Sequence, residues 1–255
     1  MLWHKAWRET RGRFITGLLI LTVLSAAKVY EYVVAQRMMP MAESVLSGAE
    51  KTPLGDAIRD AIAVQREFRG FIWYNSFRDN LTQLGVLFAV LLGCGGLLAE
   101  AKKGSALFTL SLPVTRKQLL GARVGIGLAQ CFALAMVPPL VIPLLAPVVG
   151  QSFSIIDALV HGLCLFFVGA LFFSLASFLS TMFGDIWRPM LIAIVIACGA
   201  VAVQLVLPEL GLFRLMSGET YFRTGALPWM GFLATAVLAS ALLYSAAETL
   251  ERRDF

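Results

Sequence analysis

Few side chains in this sequence could make or break bonds, and none stands at the spacing that chemistry needs. His4 and His161 are far apart in the chain, and no Ser/His/Asp or Cys/His set is visible. Cys94, Cys131, Cys164 and Cys198 each lie inside an apolar run without metal-ligand spacing, so they read as small packing side chains and no metal site is expected. The phosphate-binding pattern G-x-x-x-x-G-K-[S/T] does not occur, so the chain is not itself an ATPase of that kind. One ionisable pair remains. Lys28 and Glu31 stand three apart on one face of an apolar run, where they pair locally or snorkel outward. An ion-coupled carrier or channel would use such groups, with the proline-broken stretch after residue 137 as its pathway.

The elements that must hold these residues are membrane helices. Of 255 residues, 58% are hydrophobic and 15% charged, against about 25% charged in soluble domains. Several apolar runs reach the roughly 20 residues that cross a bilayer. The fold class is therefore all-α and polytopic, a single membrane domain over residues 1–255. The net charge of +5 does not point to nucleic acid, because the basic residues flank apolar runs instead of gathering on a solvated domain.

Six spans are expected, near residues 14–34, 81–99, 116–137, 156–182, 190–207 and 229–247. Ahead of them, residues 1–13 place Trp3 and Trp7 on one helical face with Lys5 and Arg8, an interfacial helix with indole anchors. A signal-peptide reading of residues 1–27 is disfavoured, because apolar character continues to Val34. Residues 36–80 form a charge-balanced helical loop ending in the aromatic run Phe71-Ile72-Trp73-Tyr74, a belt at the membrane surface. Gly93, Gly95 and Gly96 flatten span two, and Gly121 with Gly125 repeats the small-residue spacing on span three; both are helix contacts. Pro138, Pro139, Pro143 and Pro147 are expected to break span three, and His161 to be interfacial. Residues 209–228 are apolar enough to dip back into the membrane.

Basic residues orient the bundle. Lys5, Arg8, Arg11 and Arg13, then Lys102, Lys103, Arg116, Lys117 and Arg123, then Arg188, Arg252 and Arg253, fall on one side. The short segments opposite hold only Arg214 and Arg223. Both termini are thus expected in the cytoplasm, and so is the loop at residues 100–118.

That loop is unusual. A basic cluster is followed by the apolar knot Leu107, Phe108, Leu110 and Leu112, then Pro113 and a second basic cluster. Ser105 can cap a short helix that Pro113 stops, and Thr115 with Gln118 reads as a capping box opening the next helix. An exposed apolar patch ringed by positive charge suits a partner protein, although such a helix can also simply lie on lipid.

The string Glu100…Gly104-Ser105…Leu110-Ser111-Leu112-Pro113-Val114-Thr115-Arg116 resembles the loop after the second span of type-2 ABC transporter permeases. The resemblance implies a coupling helix docking into a separate ATP-binding subunit, with Glu100, Lys103, Gly104, Leu107, Phe108, Leu110, Leu112, Pro113 and Arg116 at the contact. It also implies two copies of that subunit, which would carry ATP and Mg²⁺, while this chain would bind no cofactor. A homodimer or heterodimer of permease subunits in a bacterial-type plasma membrane, acting as an exporter, completes the expectation.

Overall fold

The computed structural model describes residues 2–47, 61–95, 115–207 and 211–252. Every regular element among them is helical. The helices are α1 (Leu2–Ser47), α2 (Phe68–Ile72), α3 (Thr82–Gly93), α4 (Arg116–Leu145), α5 (Ile155–Met182), α6 (Trp187–Val206), α7 (Leu212–Met216), α8 (Glu219–Thr224) and α9 (Trp229–Glu251). A π-helical segment, Trp73–Leu81, joins α2 to α3.

Five helices are long and apolar enough to cross a membrane: Leu2–Met39, Lys117–Val149, Ile155–Met182, Trp187–Gln204 and Trp229–Glu251. They make this an all-α protein of multi-pass membrane type. The second expected span is built differently. Its described part belongs to a composite run through α2, the π-segment and α3, with Arg78 and Asp79 in the middle.

α1 is one unbroken helix, so the expected boundary between an interfacial helix and the first span is not a break in secondary structure. Its 46 residues would measure roughly 70 Å if straight, more than the roughly 40–45 Å of a whole bilayer. This accounts for the entry of α1 into residues 36–47, where the sequence suggested a loop. Leu21, Ser25, Val29 and Tyr32 recur at helical spacing and are buried, forming the stripe that faces the bundle.

α5 is the central helix, with 61% of its most apolar window buried, and it packs against α3, α4, α6, α7 and α9. Helical spacing alone predicts a two-sided core helix when apolar residues run all round it, and α5 is such a run. Gly93 lets α3 approach it closely: a Cβ there would lie 2.5 Å from the Phe173 carbonyl oxygen and 2.8 Å from the Ala176 Cβ.

Three sequence expectations are corrected. α4 runs through Pro138, Pro139 and Pro143 to Leu145, and only then tightens into the 3₁₀ turn Ala146–Val149 with left-handed Gly150. Pro138 and Pro139 are buried, so packing holds a helix that exposed prolines would break. Phe71, Ile72 and Trp73 form no surface belt; each is at most 3% exposed. Gly121 makes no helix contact among the described residues, since an added Cβ would meet nothing within 4 Å.

Candidate functional site

Residues 96–114 lie outside the described residues, and the described residues on both sides of them form a clamp. α3 ends at Gly93, with Cys94 already extended and its N–H donating to Val90 O at 2.9 Å. A helix C-terminus leaves carbonyls without internal donors and carries partial negative charge. Arg13 of α1 answers both needs: its Nη1 donates to Leu91 O at 2.8 Å and to Cys94 O at 2.7 Å. Gly95 follows with φ of +102°, and a Cβ there would lie 3.2 Å from Arg123 Nη2 and 3.4 Å from Arg13 Nη1. Backbone conformation and crowding together demand glycine at this exit.

The returning end is held as firmly. Thr115 is the N-cap of α4: Gln118 N donates to Thr115 Oγ1 at 3.3 Å, and Thr115 N donates to Gln118 Oε1 at 3.2 Å. This is the capping box expected from the sequence. Lys117 Nζ lies 2.8 Å from Glu251 at the end of α9. Arg123 lies 3.5 Å from Glu9, which also meets Lys5 at 3.7 Å. The loop therefore starts and ends on a frame that joins α1, α3, α4 and α9.

The sequence-predicted residues fall unequally on this frame. Glu100, Lys103, Gly104, Leu107, Phe108, Leu110, Leu112 and Pro113 lie outside the described residues, as does Gly96; Arg116 is described as the first residue of α4 only. Trp3 is 58% exposed, with the edge of its indole against Gly125, so Gly125 meets an aromatic ring of α1 instead of another span's backbone. Trp7 packs against Phe14, with ring centroids 5.6 Å apart, and Arg8 is exposed. Sequence reasoning counted Arg13 and Arg123 only as orienting charges and Gly95 only as a small residue flattening span two, and it missed Glu9 and Glu251. Glu9 is the single acid in the first 13 residues, a signal that could have marked it.

A second polar cluster closes the opposite end of α5. Asp157 accepts from Tyr221 Oη at 2.8 Å and pairs with Arg69 Nε at 2.8 Å. Burial, followed by the bond to Asp157 and its charge, raises the Tyr221 phenol above its ordinary pKa, with Arg69 opposing. Ser217 O accepts from Trp73 Nε1 at 3.1 Å and lies 3.1 Å from His161 Nδ1. His161 is 1% exposed and stacked on Phe77, so it is a packed residue near the start of α5. Met216, in the stretch expected to dip inward, reaches an apolar cavity of about 20 Å³ lined also by Leu21, Gly85, Cys131 and Gly169. Among the described residues, no three His, Cys, Asp or Glu side chains are grouped as a metal site would require.

Lys28 and Glu31 form a pair at 2.7 Å, and the Glu31 side chain is 51% exposed. Lys28 is the more buried partner, with its side chain 18% exposed. No protein-family model, curated protein or solved structure matches the chain.

Proposed function

We propose that this chain is the membrane subunit of an ATP-driven transporter, coupled to a separate ATP-binding subunit through residues 100–118. The observation that carries the reading is the clamp at both ends of that stretch: Arg13 on the Leu91 and Cys94 carbonyls, and the Thr115–Gln118 capping box. A loop that only bridged two helices would need neither. One that transmits force must have stiff ends, because a pull on a frayed helix end is lost in unwinding.

In this reading the composite run through the π-segment is the sixth span, and both termini lie in the cytoplasm of a bacterial-type plasma membrane. Two six-span permease subunits, identical or not, meet two ATPase subunits that carry ATP and Mg²⁺. Each ATPase pulls on the helix around Leu107, Phe108 and Leu110, and the force enters α3 and α4 together. Export is the direction favoured by the family resemblance. The apolar interior faces lean toward a hydrophobic cargo.

The test is reconstitution with the ATP-binding subunit that this reading expects. Phe108→Asp and Leu110→Asp should abolish substrate-stimulated ATP hydrolysis while the chain still folds. Retained stimulation in both variants would overturn the reading. Gradient-driven flux without nucleotide, lost on Glu31→Gln, would establish the ion-coupled carrier in its place.

A further inference from the structure

Much of the outward side of this bundle is apolar. At mid-length the exposed side chains of α6 include Val195 and Ile196, and those of α9 include Leu233 and Val237. The composite run over residues 68–95 is the reverse: its exposed residues are Arg69, Arg78 and Gln83, all polar. Arg69 is answered by Asp157 at the end of the bundle. Arg78 and Gln83 lie deeper. Leu81 and Gly85 line the apolar cavity with Cys131 and Leu134 of α4 and Leu165 and Gly169 of α5, residues near the middle of those two helices. Gln83, between Leu81 and Gly85, therefore sits at mid-depth. Arg78 and half-buried Asp79 lie roughly 7 Å away along the axis, at about 1.5 Å per residue. They lie toward the start of α5, since Phe77 stacks on His161 there. Asp79 and Gln83, four residues apart, share a face of the run, with Arg78 beside them.

Among the described residues nothing pairs with these three groups. The Arg78 guanidinium lies over the rings of Tyr74, at 4.8 Å, and Trp73, at 6.0 Å, without an ion pair. Asp79 offers its backbone carbonyl to the Thr82 N–H, while its carboxylate and the Gln83 amide make no hydrogen bond. A cation, a carboxylate and an amide at this depth are costly against lipid tails, and such groups face protein or a polar cavity. Their arrangement says which. Arg78 and Asp79 are neighbours of opposite sign at one level of the bundle. A second copy, related by a twofold axis along the bundle, sets each Arg78 against the other copy's Asp79. It also brings the two Gln83 amides together, and each can both donate and accept. An unlike partner would need its own acid and base at that depth; a second copy already has them.

We propose that the face carrying Arg78, Asp79 and Gln83 binds a second copy of this chain through reciprocal Arg78–Asp79 ion pairs. The pairing deepens the transport reading, because it makes the two permease subunits identical. It stands on charge and depth alone, so it can hold without any ATPase.

Energy transfer between full-length chains carrying donor and acceptor dyes, diluted with lipid in liposomes, tests it. Arg78→Glu makes the face wholly acidic and Asp79→Arg makes it wholly basic. Each alone should weaken self-association at least about tenfold, within the range measured for close interfacial charge pairs. An equal mixture of the two should associate at least as tightly as the parent, because acid then meets base across the interface. Damage to the fold by either substitution would not be repaired by mixing. A monomeric parent, single variants that associate like the parent, or a mixture no tighter than its components overturns the proposal. As a second measurement, Gln83→Cys is made the sole cysteine by replacing Cys94, Cys131, Cys164 and Cys198 with alanine. It should oxidise to a cross-linked dimer, whereas Val195→Cys in the same background should not. Labelling of Gln83→Cys by a membrane-impermeant thiol reagent with no cross-link would mark a water-filled groove and overturn the pairing. None of these readouts involves nucleotide, so the pairing can fail while substrate-stimulated ATP hydrolysis stands, and the reverse.

Discussion

Replacing Arg13 with alanine should loosen the exit of α3 without unfolding the bundle. The guanidinium donates through one nitrogen to two carbonyls, at 2.8 and 2.7 Å, at the negative end of the helix. A hydrogen bond to a charged group contributes about 1.5–3 kcal/mol, and a cation at a helix C-terminus about 0.3–1 kcal/mol. Because one nitrogen serves both carbonyls and the site is only part-buried, the lower half of that sum applies, roughly 2–3 kcal/mol. At about 1.4 kcal/mol per decade, local opening should become about 30- to 150-fold more frequent. Amide hydrogen exchange over residues 90–95 reads this directly, since the Cys94 N–H is held by Val90 O. Arg13→Lys keeps the charge and one donor group, and should lie between the parent and alanine. If exchange over residues 90–95 moves less than about threefold in a folded Arg13→Ala chain, the free-energy estimate fails. The clamp then does not stiffen the loop's first end.

The remaining predictions use glycines and one indole. Gly93→Ala should destabilise the bundle by about 2 kcal/mol or more, because its Cβ has no room beside Phe173 and Ala176, whereas Gly121→Ala should be neutral or stabilise by up to about 1 kcal/mol. Thermal aggregation midpoints of the two purified variants check this, and a Gly121→Ala loss as large as that of Gly93→Ala would refute it. Gly95→Ala should cost about 1–2 kcal/mol, through its left-handed backbone and the crowding arginines, and should raise exchange at the same amides as Arg13→Ala. Trp73→Phe keeps an aromatic ring against Phe222 but removes the donor to Ser217 O, and should cost about 1 kcal/mol in thermal stability.

Much of the architecture was legible in the residues. Apolar runs of membrane length mark the helices, and all five helices long and apolar enough to cross a membrane stand where those runs are. The capping box was equally plain, because Thr115 and Gln118 act over three residues and need no other part of the chain. Local patterns reach only as far as a turn of helix, and the misreadings begin beyond that distance. The aromatic run at Phe71-Ile72-Trp73-Tyr74 has the composition of a membrane-surface belt, yet Trp73 is buried because Ser217, 144 residues later, supplies the carbonyl its indole needs. Gly93 and Gly121 look alike in sequence, and only the placement of α5 makes one a contact and leaves the other open.

The sequence by itself determined that this chain is helical with apolar runs of membrane length, and where the Thr115–Gln118 cap lies, since hydropathy and capping are properties of neighbouring residues. Tertiary structure alone decided that Arg13 closes α3 across 78 residues of chain, and that His161 is packed beneath Ser217. It also brought Trp73, at the start of the π-helical Trp73–Leu81, against Ser217 O and the Phe222 ring. The physical reason is the same in each case. A buried donor or acceptor must find its partner wherever the fold has brought one, and sequence spacing does not measure that distance.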